Sequence, residues 1–408
     1  MEKLNKNILF YILIMLVLCQ LDSCQKAPFN QDHKMFIKTY SNDSTYSQFG
    51  FFIEELNDEG FIIVSVENNY PLIMRTDKYG SIISQRAVPD NSFNVAGGFL
   101  VNFSTTGDPW HFLAQAGRLI MRFDSSGKIA CETLVPLSGF GPINTNTFIR
   151  GAVQNGTGFL VPYCDGTGGT ISTTNKIYSY DGNLKLLKTD SISDLRLGGH
   201  TQLFYLSPGI QSAPYTIFGQ KFPRTYWNST NNTKLFAARV PVTGKPTQTM
   251  IDTGDQLTSD NYTWQAISND SDVVMLGDRV NSVNTLLKYP IVIKFDKNLK
   301  VVWKQVYDVD YGNVGGSNIV SCRDGGFLIL GSIGRAGYPE TKPYALKIDA
   351  NGNKQWEKTL TSTTGTGELL WGIQLADGGY AFVGDTQQFG KGIGTRLIFV
   401  RTDANGNF

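Results

Sequence analysis

One unit recurs along the chain, and its period limits what the chain can fold into. The clearest copy spans residues 324–360. Asp324-Gly325-Gly326 leads into the apolar run 327–330, which reads as a buried strand. A second strand alternates, with Tyr344, Leu346 and Ile348 on one face, and a third carries Trp356. Between them stands Asp349-Ala350-Asn351-Gly352. An aspartate opening a turn accepts hydrogen bonds from backbone N–H groups ahead of it, and a glycine three places on tolerates positive φ, so a tight hairpin is expected.

The unit is counted by its basic-x-Asp signature. Full copies are Arg75-Thr76-Asp77, Arg122-Phe123-Asp124, Lys294-Phe295-Asp296, Lys347-Ile348-Asp349 and Arg401-Thr402-Asp403. Ser179-Tyr180-Asp181 lacks the base. Arg239-Val240-Pro241 lacks the Asp but keeps Gly244. Successive copies lie 47, 57, 60, 55, 53 and 54 residues apart. Each follows an apolar run (61–64, 99–101, 159–161, 215–218, 273–276, 327–330 and 380–383), and a further candidate strand precedes most runs. Four strands in roughly 50 residues is the size of a propeller blade. The expectation is therefore an all-β, seven-bladed β-propeller. The chain stops just after the third strand of the last unit, whereas 35–40, which looks like the 355–360 strand, precedes any unit that could own it. Residues 33–41 pairing with the blade at 368–408 would close the ring and remove an open edge.

These repeats resemble the Asp-Gly-Gly-Phe/Tyr…Gly-Ser/Asp…Lys-x-Asp-x-x-Gly…Trp units of secreted and lipoprotein propellers of Gram-negative bacteria, across nearly all of residues 33–408. The resemblance implies the fold and, because the family has no single activity, little about function. The signature pairs read as structural, since packing repeats around a ring and catalytic sites seldom do. Trp303 and Trp356 read as packing between blades.

The N-terminus reads as a targeting segment: Lys3 and Lys6, then the apolar stretch 8–18, then Leu21-Asp22-Ser23-Cys24. That tetrapeptide resembles the lipobox of bacterial lipoproteins, although Asp22 departs from the usual small or apolar residue. The resemblance implies a signal peptide over 1–23, acylation of Cys24, a polar tether over 24–32, and a lipid anchor in the outer membrane, its side undetermined. An uncleaved signal anchor or an ordinary signal peptide cut nearby is the alternative.

With 36 basic and 35 acidic residues, the chain lacks the charge excess that a nucleic-acid partner needs. Cys131, Cys164 and Cys322 allow at most one bridge and read as buried thiols. No Cys/His cluster, Gly-x-Ser-x-Gly elbow, His-Glu-x-x-His or phosphate loop is present, so neither metal nor cofactor is expected. Residues 349–353 and 403–407 resemble oxygen-rich calcium loops but lack the second acidic positions and terminal Glu. Among carboxylates, Asp252, Asp255, Asp260, Asp308 and Asp310 are available, and no pair among them stands out.

The turns expected between first and second strands, and between third and fourth, are short. The remaining connections are long and leave on one face. That face is expected to hold Trp110, His111, Tyr226, Trp227, Tyr311 and Tyr338, near His200. Aromatic rings on rigidly held loops suit binding, and they can stack on sugars, although each ring could instead fold back over the core. The expected role is a lipid-anchored, non-catalytic binding or scaffold module for a glycan, a peptide or an outer-membrane partner. The alternative is an envelope lyase or glycosidase with its site at the channel mouth, which an acidic cluster near His200 would favour.

Overall fold

The computed structural model describes residues 35–40, 48–67, 70–87, 100–102, 112–116, 119–124, 126–134, 153–155, 158–164, 175–192, 200–208, 215–222, 234–240, 247–250, 260–267, 272–280, 287–308, 312–335, 340–360, 366–387 and 394–408. Every element among them is a β-strand. Strand β1 (Phe36–Tyr40) stands first. Group one comprises β2 (Gln48–Glu55), β3 (Phe61–Glu67), β4 (Tyr70–Thr76) and β5 (Ile82–Ala87). Group two comprises β6 (Leu100–Asn102), β7 (Phe112–Ala116), β8 (Leu119–Phe123) and β9 (Ile129–Leu134). Group three has β10 (Val153–Asn155), β11 (Gly158–Cys164), β12 (Asn175–Tyr180) and β13 (Leu186–Ile192). Group four has β14 (His200–Pro208), β15 (Tyr215–Phe222), β16 (Lys234–Val240) and β17 (Thr247–Met250). Group five has β18 (Asp260–Ile267), β19 (Val273–Val280), β20 (Lys288–Phe295) and β21 (Val301–Val306). Group six has β22 (Gly312–Ser321), β23 (Phe327–Arg335), β24 (Thr341–Ile348) and β25 (Lys354–Thr359). Group seven has β26 (Gly367–Gln374), β27 (Tyr380–Thr386) and β28 (Arg396–Thr402), with β1 as its fourth strand.

Within a group, consecutive strands pair antiparallel. Groups five and six are joined into one eight-stranded sheet through a single parallel bridge, Lys288 to Asn313. β1 pairs antiparallel with β28, placing Phe36 opposite Arg401 and Tyr40 opposite Leu397.

Apolar runs here are continuous rather than alternating because both faces of a sheet are covered. In β23, Phe327 and Ile329 pack towards Val274, Leu276 and Val292 of group five. The intervening Leu328 and Leu330 pack towards Tyr380, Phe382, Ile398 and Val400 of group seven. The same division joins group seven to group one through Val383, Leu397 and Phe399 against Ile53, Phe61 and Ile63. Phe52, Ile62 and Val64 then meet Met121 and Phe123 of group two. Arg122 Nη1 donates to Gly182 O of group three at 2.6 Å. β14 runs beside β10 and β11 on one side and β18 on the other. Each group thus touches the next in chain order, and the last touches the first.

The signature has a division of labour. Its aspartate organises its own hairpin: Asp349 Oδ1 accepts the Asn351 and Asn353 N–H groups, each at 2.8 Å, and Asp296 and Asp403 do likewise. Its base does not pair with that aspartate. Lys347 is buried and donates to Asp324 of the Asp-Gly-Gly turn at 2.8 Å, to Gln355 at 2.9 Å and to Ile348 O at 3.0 Å. Arg401 reaches Asp377, and Arg75 reaches Asp58, both at 2.7–2.8 Å. Arg401 also donates to Lys78 O in the hairpin of group one, as Arg122 does to that of group three.

In groups five, six and seven, the residue opposite the signature base meets the next group's hairpin. Trp303 and Trp356 lie against Gly352 and Gly406, and Phe36 of β1 lies against Gly80. Gly352 sits at φ 83°, in the left-handed region. Groups three and five place Leu184 and Leu299 at the same turn position, at φ 60° and 64°, with both side chains buried.

One expectation is corrected. The 99–101 run was read as the second strand of its unit. Residues 100–102 form β6, the first strand, and the second is β7. The β7 sequence Phe-Leu-Ala-Gln-Ala is less apolar than its neighbours, so a search for the most apolar run passes over it.

Candidate functional site

Strand direction sorts each group into two ends. At one end lie the hairpins of the signature and of Asp-Gly-Gly. At the other lie the start of each first strand and the end of each second strand. That second end is irregular. Five first strands slip register there: between Gly50 and Phe52, Leu203 and Tyr205, Tyr262 and Trp264, Gly316 and Asn318, and Leu369 and Trp371. Such bulges bend a strand and re-aim its side chains. Opposite four of them stands a glycine of the second strand, Gly219, Gly277, Gly331 or Gly384. A Cβ at Gly384 would overlap the carbonyl oxygen of Glu368, so this close approach selects glycine.

The residue after that glycine is the Ser/Asp of the repeat: Asp278 in group five, Ser332 in group six, Asp385 in group seven. Asp385 lies directly opposite Glu368, a placement that brings Cβ atoms to about 4.5–5.5 Å in an antiparallel pair. Ser317, the inserted residue of the β22 bulge, donates its hydroxyl to Glu368 Oε1. Asp278 Oδ1 accepts the Gly316 N–H at 3.0 Å. Side chains from three successive groups therefore converge at this end. All four residues are half-buried, so they remain within reach of solvent.

Burial sets their electrostatics. It pushes Glu368 up to about 7, with Asp385 and then Asp278 adding repulsion. Burial likewise pushes Asp385 up to about 7. Asp278 is raised by burial, opposed by the Gly316 N–H and Lys288. Burial and mutual repulsion thus favour keeping a proton on the Glu368–Asp385 pair towards neutral pH, so it can present both a donor and an acceptor. Among the described residues, no group of three or more His, Cys, Asp or Glu could hold a metal ion. Residues 349–353 and 403–407 are the hairpins described above. Of the cysteines, Cys322 is buried, with its thiol pushed up to about 12 by burial.

The backbone of His200 opens β14 opposite Phe222, at this same end. Cys24, Trp110, His111, Tyr226, Trp227, Tyr311 and Tyr338 lie outside the described residues. By chain position, Tyr226 and Trp227 fall between β15 and β16, Tyr311 between β21 and β22, and Tyr338 between β23 and β24, all connections that join strands at the carboxylate end. Trp110 and His111 fall between β6 and β7, which are joined at the hairpin end. Sequence reasoning passed over Asp278, Ser317, Glu368 and Asp385. The Gly-Ser/Asp step of the repeat is the signal for two of them, and the sequence alone assigns it no role.

No protein-family model matches the chain, and no curated protein matches it. Among solved structures it is similar to a protein of unknown function from Dyadobacter fermentans, at 11% identity and a TM-score of 0.50, covering 90% of this chain and 98% of that one. It is also similar to a polysaccharide lyase, at 10% identity and a TM-score of 0.48, covering 90% and 91%. An α-L-arabinanase from Penicillium chrysogenum, solved with arabinobiose, matches at 10% identity and a TM-score of 0.46, covering 91% and 100%. At these identities the likeness concerns the fold alone.

Proposed function

We propose that the chain is a lipid-anchored envelope protein built as a seven-bladed β-propeller, with each four-stranded group a blade and β1 closing the last. The repeat period, the contacts from each group to the next and from the last to the first, and the β1–β28 pairing support the propeller. The resemblance of 21–24 to a lipobox supports the anchor.

Its role is to bind a hydroxyl-rich ligand, a glycan chain in the first instance, at the carboxylate end. The observation that carries this reading is the convergence of Asp278, Ser317, Glu368 and Asp385 from three successive groups, half-open to solvent. A carboxylate, a protonated carboxyl and a hydroxyl together accept from and donate to sugar hydroxyls. Calorimetric titration with a panel of envelope and plant-type oligosaccharides tests it. The Glu368→Gln, Asp385→Asn double variant is expected to weaken binding at least about tenfold, or ~1.4 kcal/mol. Unchanged affinity in that variant would remove the site.

A second reading, a carbohydrate-active lyase or glycosidase, is favoured by one specific observation. Glu368 and Asp385 titrate near neutrality, where a carboxyl can serve as general acid and its neighbour as base. Incubation with the polysaccharides that bind, followed by assay for new reducing ends or unsaturated products, separates catalysis from binding.

A further inference from the structure

We infer that the hairpin end of groups seven and one is a membrane-contacting surface, seated on lipid headgroups, so that the carboxylate end points away from the bilayer. This rests on the lipid-anchor reading of Cys24.

The first argument is where the chain joins the fold. β1 enters at Phe36, opposite Arg401, next to the hairpin that Asp403 opens. Asp385 lies opposite Leu397, at the far end of the same strands. From Tyr380 to Asp385 is about 17 Å of strand. Residues 25–34 separate Cys24 from Met35 and span at most about 36 Å even when fully extended. Turning the carboxylate end to the bilayer would use up about half that reach merely in running back along the sheet.

The second argument is what the surface carries at that point. In the signature hairpins, the second residue after the aspartate is Ser126, Asn183, Asn298, Asn351 or Asn405. In group one alone it is Tyr79, which is exposed. That hairpin is the one β1 touches: Tyr40 donates its hydroxyl to Gly80 O, and Lys38 donates to Ser81 Oγ at 3.3 Å. Two further exposed apolar residues stand at the same end, Met35 just ahead of β1 and Phe408 just after the group-seven hairpin. Lys78 Nζ lies 5.3 Å from the Tyr79 ring centroid. A tyrosine beside a lysine, with apolar neighbours, is the side-chain set that settles at a lipid–water interface. The nearby Asp403 stays a carboxylate, accepting the Asn405 and Asn407 N–H groups and the Asn407 side-chain amide, and Lys78 itself stands 3.9 Å from Glu59, so attachment rests on the ring and the apolar side chains and not on net charge.

The test uses the full lipoprotein on vesicles of phosphatidylethanolamine and phosphatidylglycerol, read by flotation and hydrogen exchange, with the Cys24→Ser chain in solution as reference. Amide exchange at 78–81 and 404–408 is expected to slow severalfold on vesicles, with 385–387 and 394–396 unchanged. Protection at 385–396 instead, or a floating protein with neither end protected, overturns the inference and leaves lipid anchoring intact. A chain that never acquires lipid and never floats takes down both. Tyr79→Asn, matching four other hairpins, should keep the fold and lower the residual vesicle affinity of the Cys24→Ser chain severalfold. An unchanged affinity would also overturn the surface.

Discussion

The two ends of the sheets treat the same functional group in opposite ways. At the hairpin end, the turn aspartates are held ionised. The Lys300 N–H and then Asn298 hold Asp296 below the usual carboxylate range. Asp349 is lowered too, its desolvation outweighed by hydrogen bonds from Asn353 and Asn351. At the other end, Glu368 and Asp385 are driven up to about 7. The hairpin aspartates face backbone donors that a tight turn supplies for free. The opposite pair face each other across a bulged ladder, with one hydroxyl for company. The first arrangement fastens a fold. The second keeps a proton in play, which is what a site needs and a core does not.

Four experiments break or sharpen that contrast. The largest effect is expected from deleting 35–40, which strips β28 of its partner and Gly80 of its Phe36 cover. Circular dichroism should show loss of the cooperative unfolding transition, and light scattering should show association through the bared edge. Next comes Asp324→Ala, which leaves Lys347 buried without its carboxylate. Removing one partner of a buried pair costs about 3–5 kcal/mol. The Asp324 side chain is 45% exposed, and solvent screening places the expected loss near the bottom of that range, at about 3 kcal/mol by urea denaturation.

The third experiment sets one end against the other by pH. Because Glu368 and Asp385 are raised, the folded chain holds protons that the unfolded chain releases above about pH 4. Their stabilising contribution is full below that value and is lost as pH rises towards about 7. Asp296 and Asp349 act in the reverse sense, adding stability above the ordinary carboxylate value and losing it as pH falls. Melting temperature should therefore decline from pH 5 to pH 8 and drop steeply in strong acid. The Glu368→Gln, Asp385→Asn variant should flatten most of the first decline, leaving the smaller share of Asp278 and Glu55, which are also raised by burial, and keep the second. The smallest effect is expected from Asp349→Ala, which removes an exposed turn acceptor at a cost of about 1 kcal/mol.

The hairpin end was legible in the sequence because its cause is local. Asp349 and Gly352 are three residues apart, and the turn they make depends on little else. Trp303 and Trp356 could be read as packing because they recur at a fixed distance from the signature. The other end depends on register. Glu368 meets Asp385 only because β26 and β27 pair as they do, and Ser317 reaches Glu368 only because β22 inserts a residue that β23 lacks. A bulge leaves no short-range mark in sequence. Repetition gave no help: Asp278 and Asp385 occupy a repeated position, and the repeat itself does not mark which of its copies will lie among buried partners. β7 was missed for a related reason, since its neighbours outshine it in apolarity.

The seats for Trp303, Trp356 and Phe36 have one more consequence. Each bulky ring precedes a hairpin with glycine at its turn, whereas Cys131 and Thr247, at the same station opposite Arg122 and Arg239, precede hairpins that carry Leu184 and Leu299. Size is traded across these boundaries, though not at the one where Ser84, opposite Arg75, precedes the Gly127 hairpin, so the modules on either side of them are not interchangeable. A duplicated or transplanted copy would set ring against leucine or leave a hole beside glycine. Lengthening by tandem duplication, the easy evolutionary route for repeats, is thereby discouraged at these boundaries, and the order of the parts is enforced by fit.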